Sequence, residues 1–212
     1  MPRFTFSGVL TRVLFGSRTV ESIGSEVERL DRRRAFVVCS TPQQREGELL
    51  RDILGNSCID VYSGAVLHTP TRVTKDALHA LSGAAADCIV SIGGGSAIGL
   101  GKALALRAEM PQICVPTTYA GSEMTPILGQ TEDGEKITLT APAILPKVVV
   151  YDVELTKSLP TRLSAASGLN AIAHAAEALY AAERQSNHQL VCSGRHRSVG
   201  PIVAADNVGS DG

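Results

Sequence analysis

Strand-like and helical segments alternate along most of this chain, and that order predicts an α/β fold built on a parallel sheet. Two further observations agree. The 212 residues are 44% apolar but only 4% aromatic, with no tryptophan, a mixture in which small and β-branched residues fill buried strands and tight turns. And the apolar run "DCIVSI" leads straight into three glycines and a helical pattern, a strand–turn–helix unit.

The elements follow in order. Residues 4–6 and 13–15 read as short strands, and "TVESIGSEVERL" as a helix. "RAFVVCS" is a buried strand. In "TPQQREGELLRDILG", Thr41 suits an N-cap, Pro42 the first helical position and Gln44 the far side of a capping box. Leu49, Leu50, Ile53 and Leu54 make its apolar stripe, and Gly55 ends it. "IDVYSGAV" is the next strand. The spacing of Val73, Ala77, Leu78 and Leu81 predicts a helix over about 70–82. "DCIVSI", "SAIGLGKALALRA" and "QICVPTT" read as strand, helix and strand. Two polar–apolar runs around Asp133-Gly134 signal a type I′ hairpin. "KVVVYD" returns to a buried strand, and Pro160 precedes a helix over 161–184.

Composition excludes several function classes. A net charge of −1 provides no field to recruit nucleic acid or an anionic membrane. Arg32 to Arg34 form the one basic run, read as a solvated helix-to-strand turn. Five cysteines, at 39, 58, 88, 114 and 192, are odd in number and lack paired spacing, which suits reduced thiols in a cytosol. No segment reaches the roughly 18 apolar residues of a membrane span, and the N-terminus lacks a signal-peptide pattern. The expectation is a soluble, cytoplasmic protein.

Gly93-Gly94-Gly95-Ser96 is the most informative stretch. Three glycines leave no Cβ between the backbone and an approaching group. Their N–H groups and those opening the next helix make a positive concavity suited to a pyrophosphate. The G-x-G-x-x-G fingerprint is not met, because counting from Gly93 its last position is Ile98. A P-loop is not met either. The alternative is a turn that lets the helix pack closely on the sheet. "VPTTYAGSEMTP" leaves the adjacent strand end with hydroxyls at Thr117, Thr118, Tyr119 and Ser122, which either share that crevice or form a polar loop.

Further on, "GLNAIAHAAEALY" puts Asn170 and His174 one helical turn apart on one face. Two residues at that spacing can hold a metal, but an amide is a poor ligand beside a carboxylate. From the residues alone, the pair is a metal site, a converted metal site, or two polar groups on a packed helix.

Taken together, "GGGSAIGLGKALAL", "VPTTYAGSEMTPILG", "LPKVVVYDVELTKSLP" and "SGLNAIAHAAEALY" resemble the iron-type (group III) alcohol dehydrogenase superfamily, most closely its maleylacetate reductase branch. The likeness runs from about residue 4 to 185. It implies a fold similar to dehydroquinate synthase: an α/β dinucleotide-binding domain over 1–160, the start of an all-helical domain over 161–185, and an unrelated or disordered tail over 186–212. It implies that Gly93, Gly94, Gly95 and Ser96 take the pyrophosphate of NADH or NADPH. Thr117, Thr118 and Ser122 would line the nucleotide, with Lys136 meeting its ribose. The activity implied is reduction of maleylacetate to 3-oxoadipate in aromatic-compound catabolism, by a homodimer when full length.

Two departures from the superfamily bear on this. Metal-bearing members carry Asp where this chain has Asn170. The reductase branch has Asn there too, so no metal is expected, and His174 with Asn170 would polarise the substrate directly or deliver the proton. Members also often carry an Asp after the strand ending near Ser40, where it selects NAD. Ser40 and Thr41 stand there instead, which leaves NADH and NADPH both open. Residues 186–212 do not read as the helix that should follow, so a truncation or shifted frame is expected. The alternative readings are a metal-dependent alcohol or glycerol dehydrogenase, and an inactive nucleotide-binding remnant.

Overall fold

The computed structural model describes residues 11–157 and 159–180. Leu10–Ser158 form one unit and the rest of the chain another. The first unit opens with β1 (Arg12–Gly16), α1 (Ile23–Arg29), β2 (Ala35–Ser40), α2 (Gln44–Leu54), β3 (Cys58–Ala65) and α3 (Thr71–Ala84). Next come β4 (Cys88–Gly93), α4 (Gly95–Ala108), β5 (Gln112–Pro116), β6 (Ile127–Glu132), β7 (Glu135–Thr140), β8 (Val148–Asp152) and α5 (Val153–Thr156). The second unit contains α6 (Thr161–Tyr180). The strand expected at 4–6 and everything after 180 lie outside the described residues.

Six strands make one parallel sheet in the order β1-β8-β5-β4-β2-β3. Helices cover both faces, and the alternation along β2 shows how. Val37 and Cys39 pack with Ile23, Val27, Leu50 and Leu54 of α1 and α2. Phe36 and Val38 pack with Leu81, Leu100 and Leu104 of α3 and α4. A strand buried on both faces is apolar at nearly every position, which is why these segments read as near-continuous apolar runs.

α4 is buried continuously from Ala97 to Ala105. One side lies on the sheet; the other meets the β6–β7 hairpin and the turn after it, through Ala103, Leu128 and Ile144. A helix wrapped on all sides loses its amphipathic pattern. The hairpin turns at Asp133 (φ 50°) and Gly134 (φ 85°), the two left-handed positions a type I′ turn requires.

Two local readings need correction or completion. The capping box at Thr41 and Gln44 does not form: Thr41–Gln43 make a 3-10 turn, and no side-chain cap serves α2. Thr41 Oγ1 instead donates to the Ser63 carbonyl at 3.0 Å. The basic run is a helix-to-strand turn as expected, but it also carries bonds. Arg34 donates to the Ala84 and Ala85 carbonyls that end α3, and Asp87 accepts from the Arg33 and Arg34 amides.

Candidate functional site

In this sheet, the chain runs from β2 to β3 on one side and from β4 to β5 on the other, so the order reverses between β2 and β4. In open α/β sheets the crevice at the carboxyl ends of such a pair is where ligands bind. The glycine turn stands at that point, closing β4 and opening α4.

Each glycine there has a different reason. Gly93 has φ 137°, a conformation closed to side chains, and a Cβ on it would run into the Gln43 carboxamide. On Gly94 a Cβ would press against the Thr118 side chain at 3.1 Å. Gly94 is also the cap position of α4 and has no side chain to offer the first-turn amides, which leaves them for another acceptor. A Cβ on Gly95 would meet no protein atom within 4 Å. Packing against the described residues therefore does not require a glycine at 95.

Beside this turn lies a cavity of about 290 Å³, with Gly95, Ser96, Ser122, Gly129, His68 and Thr69 in its lining. Three segments meet there: the β4–α4 turn, the loop and hairpin after β5, and the loop between β3 and α3. The last is strained, with His68 at φ 62° and Thr69 at φ 44°, unusual for residues with side chains and costly for a β-branched one. It is held by Gln130 Nε2, which donates to the Thr69 carbonyl and to Thr74 Oγ1.

The structure thus brings Gly95, Ser96 and Ser122 to one cavity. Thr118 touches Gly94. Thr117 is buried and binds the turn rather than lining the cavity: its N–H donates to the Gly93 carbonyl at 3.0 Å, and its Oγ1 accepts from Gln43 Nε2 at 2.6 Å. Lys136 is exposed on β7, and its Cε lies 3.7 Å from where a Gly129 Cβ would stand, so its stem crosses the hairpin beside the cavity. Asn170 and His174 are exposed on α6, within the other unit, and His174 Nδ1 lies 3.2 Å from Glu177 Oε2.

Three contributors escaped the sequence reading. Lys102 is fully buried in α4, and its Nζ donates to the carbonyls of Ser122, Thr125 and Ile127 at 2.5, 2.7 and 2.9 Å. It ties the cavity-wall loop to the helix. Burial lowers its pKa to about 8, because desolvation penalises the charged form. A lone cation inside an apolar helix was the available signal. Glu123, buried beside it, accepts from the Tyr151 hydroxyl at 2.7 Å. Gln43 had no signal, because its segment read as a helix start.

The iron-containing alcohol dehydrogenase model matches residues 11–153. The chain belongs to that family. Maleylacetate reductase of Rhizobium sp. strain MTP-10005 is 53% identical over 184 residues, covering 87% of this chain and 52% of its own length. Maleylacetate reductase 1 of Rhodococcus opacus is 48% identical over 177 residues, covering 84% and 50%. The crystal structure of maleylacetate reductase from Agrobacterium tumefaciens superposes with a TM-score of 0.88 at 49% identity, over 91% of this chain and 55% of that one. The chain spans about half the length of the curated relatives it matches. Among the described residues, no helix is long and apolar enough to cross a membrane.

Proposed function

We propose that this chain carries the nucleotide-binding half of an NAD(P)H-dependent reductase acting on maleylacetate, yielding 3-oxoadipate. The observation that carries the nucleotide part is Gly95, open on its Cβ side at the sheet's reversal point beside the 290 Å³ cavity. The substrate part is supported by the relatives at 53% and 48% identity, both maleylacetate reductases.

When bound, NADH or NADPH supplies a hydride to the conjugated double bond of the unsaturated oxo-dicarboxylate. The chain's own residues do the rest. The glycine turn, Gly93, Gly94, Gly95 and Ser96, holds the pyrophosphate on its backbone amides at the start of α4. Thr118 and Ser122 line the nucleotide, Thr117 meets it from beside Gly93, and Lys136 reaches its ribose. On α6, His174 polarises the substrate carbonyl or delivers the proton, with its ring oriented by Glu177, and Asn170 assists as a neutral hydrogen-bonding group. In this reading residues 1–160 are the nucleotide domain and 161–185 begin a helical one. At full length the protein works in the cytoplasm as a homodimer.

An amide at position 170 offers no negative charge to a divalent cation, so the reaction proposed is metal-free. The name of the matching family favours a second reading, a metal-dependent alcohol dehydrogenase. Purified protein is to be mixed with NADH or NADPH and maleylacetate, and the loss of nicotinamide absorbance followed. The expected result is substrate-dependent oxidation that survives EDTA. Turnover only after added Fe²⁺ or Zn²⁺ supports the metal-dependent reading. Nucleotide binding without turnover under either condition reduces the chain to a binding unit.

A further inference from the structure

Gln43 joins three strand ends at the reversal point of the sheet. Ser40 Oγ, at the end of β2, donates to its Oε1 at 3.0 Å. Its Nε2 donates to Thr117 Oγ1, just past β5, at 2.6 Å. Its carboxamide also fills the space over Gly93, at the end of β4, where a Cβ would stand. This side chain is spent on the strand ends although the adjoining helix start lacks a side-chain cap, a feature that normally contributes about 1 kcal/mol.

The bonds run in one direction, from Ser40 through Gln43 to Thr117. Once Thr117 Oγ1 accepts from an amide, its own proton is committed elsewhere. Among the described residues that proton has no protein acceptor, while the hydroxyl lies beside Gly93 in a residue only 5% exposed. We propose that Gln43 is a positioning residue for nucleotide binding, acting through Thr117: it fixes the Thr117 hydroxyl as a donor to an acceptor oxygen of the nucleotide. This rests on the nucleotide-binding reading above.

The test is a double-mutant cycle on NADH affinity. The chain has no tryptophan, so enhancement of NADH fluorescence reads binding without an intrinsic indole signal. Wild type, Q43M, Q43E, T117V and the doubles Q43M/T117V and Q43E/T117V are compared, with thermal unfolding as the check on folding. Q43M is expected to weaken NADH roughly tenfold. Q43E, close in shape, is expected to weaken it at least as much, because a carboxylate takes the Thr117 proton for itself. Neither change should weaken binding further in the T117V background. Additive losses, or a Q43E affinity within twofold of wild type, overturn the relay while leaving nucleotide binding intact. A wild-type protein that binds neither NADH nor NADPH overturns the nucleotide reading and the relay with it.

Discussion

Gly93 and Gly95 stand two positions apart and are expected to fail differently. At Gly93 an alanine inherits φ 137° and collides with Gln43, so the Gly93→Ala protein should lose about 1–3 kcal/mol of stability. At Gly95 the added methyl meets nothing within 4 Å, so stability should stay within about 0.5 kcal/mol. Its NADH affinity should nonetheless fall by about tenfold, since the methyl enters the space assigned to the pyrophosphate. Chemical denaturation with an NADH titration separates these outcomes, and unchanged affinity in Gly95→Ala would remove the turn from the binding site. Lys102 offers a different test. Replacing it by Met orphans three carbonyls, at Ser122, Thr125 and Ile127. A cost of about 1–3 kcal/mol is expected in thermal unfolding. A variant as stable as wild type would mean that water takes those carbonyls over.

At the scale of elements, α4 shows how much its sequence concealed. Its apolar residues marked a helix but gave no face, because the sheet and the hairpin enclose it together. Its closest approach is at Gly101, where a Cβ would strike Ser91 Oγ and Gln112 Nε2, a buried hydrogen-bonded pair. Glycine to alanine in a helix interior ordinarily stabilises by up to about 1 kcal/mol. Here the sign should invert: Gly101→Ala is expected to lower stability by about 1–3 kcal/mol through overpacking, measured by urea unfolding. The hairpin was legible residue by residue, since Asp133-Gly134 is a local backbone requirement. The start of α2 was misread for the opposite reason. Thr41, Pro42 and Gln44 satisfy every local rule for a cap, yet Thr41 bonds to Ser63 and Gln43 to Thr117, partners 22 and 74 positions away.

For the whole molecule, the thiols govern the alkaline limit. Burial raises Cys39 to about 11 and Cys88 to about 12, and raises Cys58 and Cys114 as well, from an ordinary 9.0. A raised folded pKa contributes stability that is fully present below the unfolded value and lost as pH climbs above it. From about pH 9 the unfolded chain sheds thiol protons that the folded one retains. Lys102 acts with the opposite sign. Its folded pKa of about 8 lies below its ordinary 10.5, so its penalty is relieved as pH rises from 8 to 10.5. Each fully buried thiol loses roughly 2 kcal/mol by pH 10.5, so several thiols outweigh one amine. The urea midpoint should therefore be lower at pH 10.5 than at 7.5, with a larger drop in Lys102→Met. A midpoint that rises would show that the lysine dominates.

The sequence by itself determined the parallel α/β order, the glycine turn, the hairpin and the family. Each is written in local periodicity or in contiguous residue types, and local backbone preferences do not depend on the rest of the chain. Tertiary structure alone decided which strand ends meet. It placed β8 between β1 and β5, buried Lys102 under a loop 20 to 25 positions away, and turned Gln43 from a helix start onto Thr117. Those contacts depend on the sheet's strand order, which brings distant residues together at the carboxyl ends of β2, β4 and β5 without leaving a pattern in the chain.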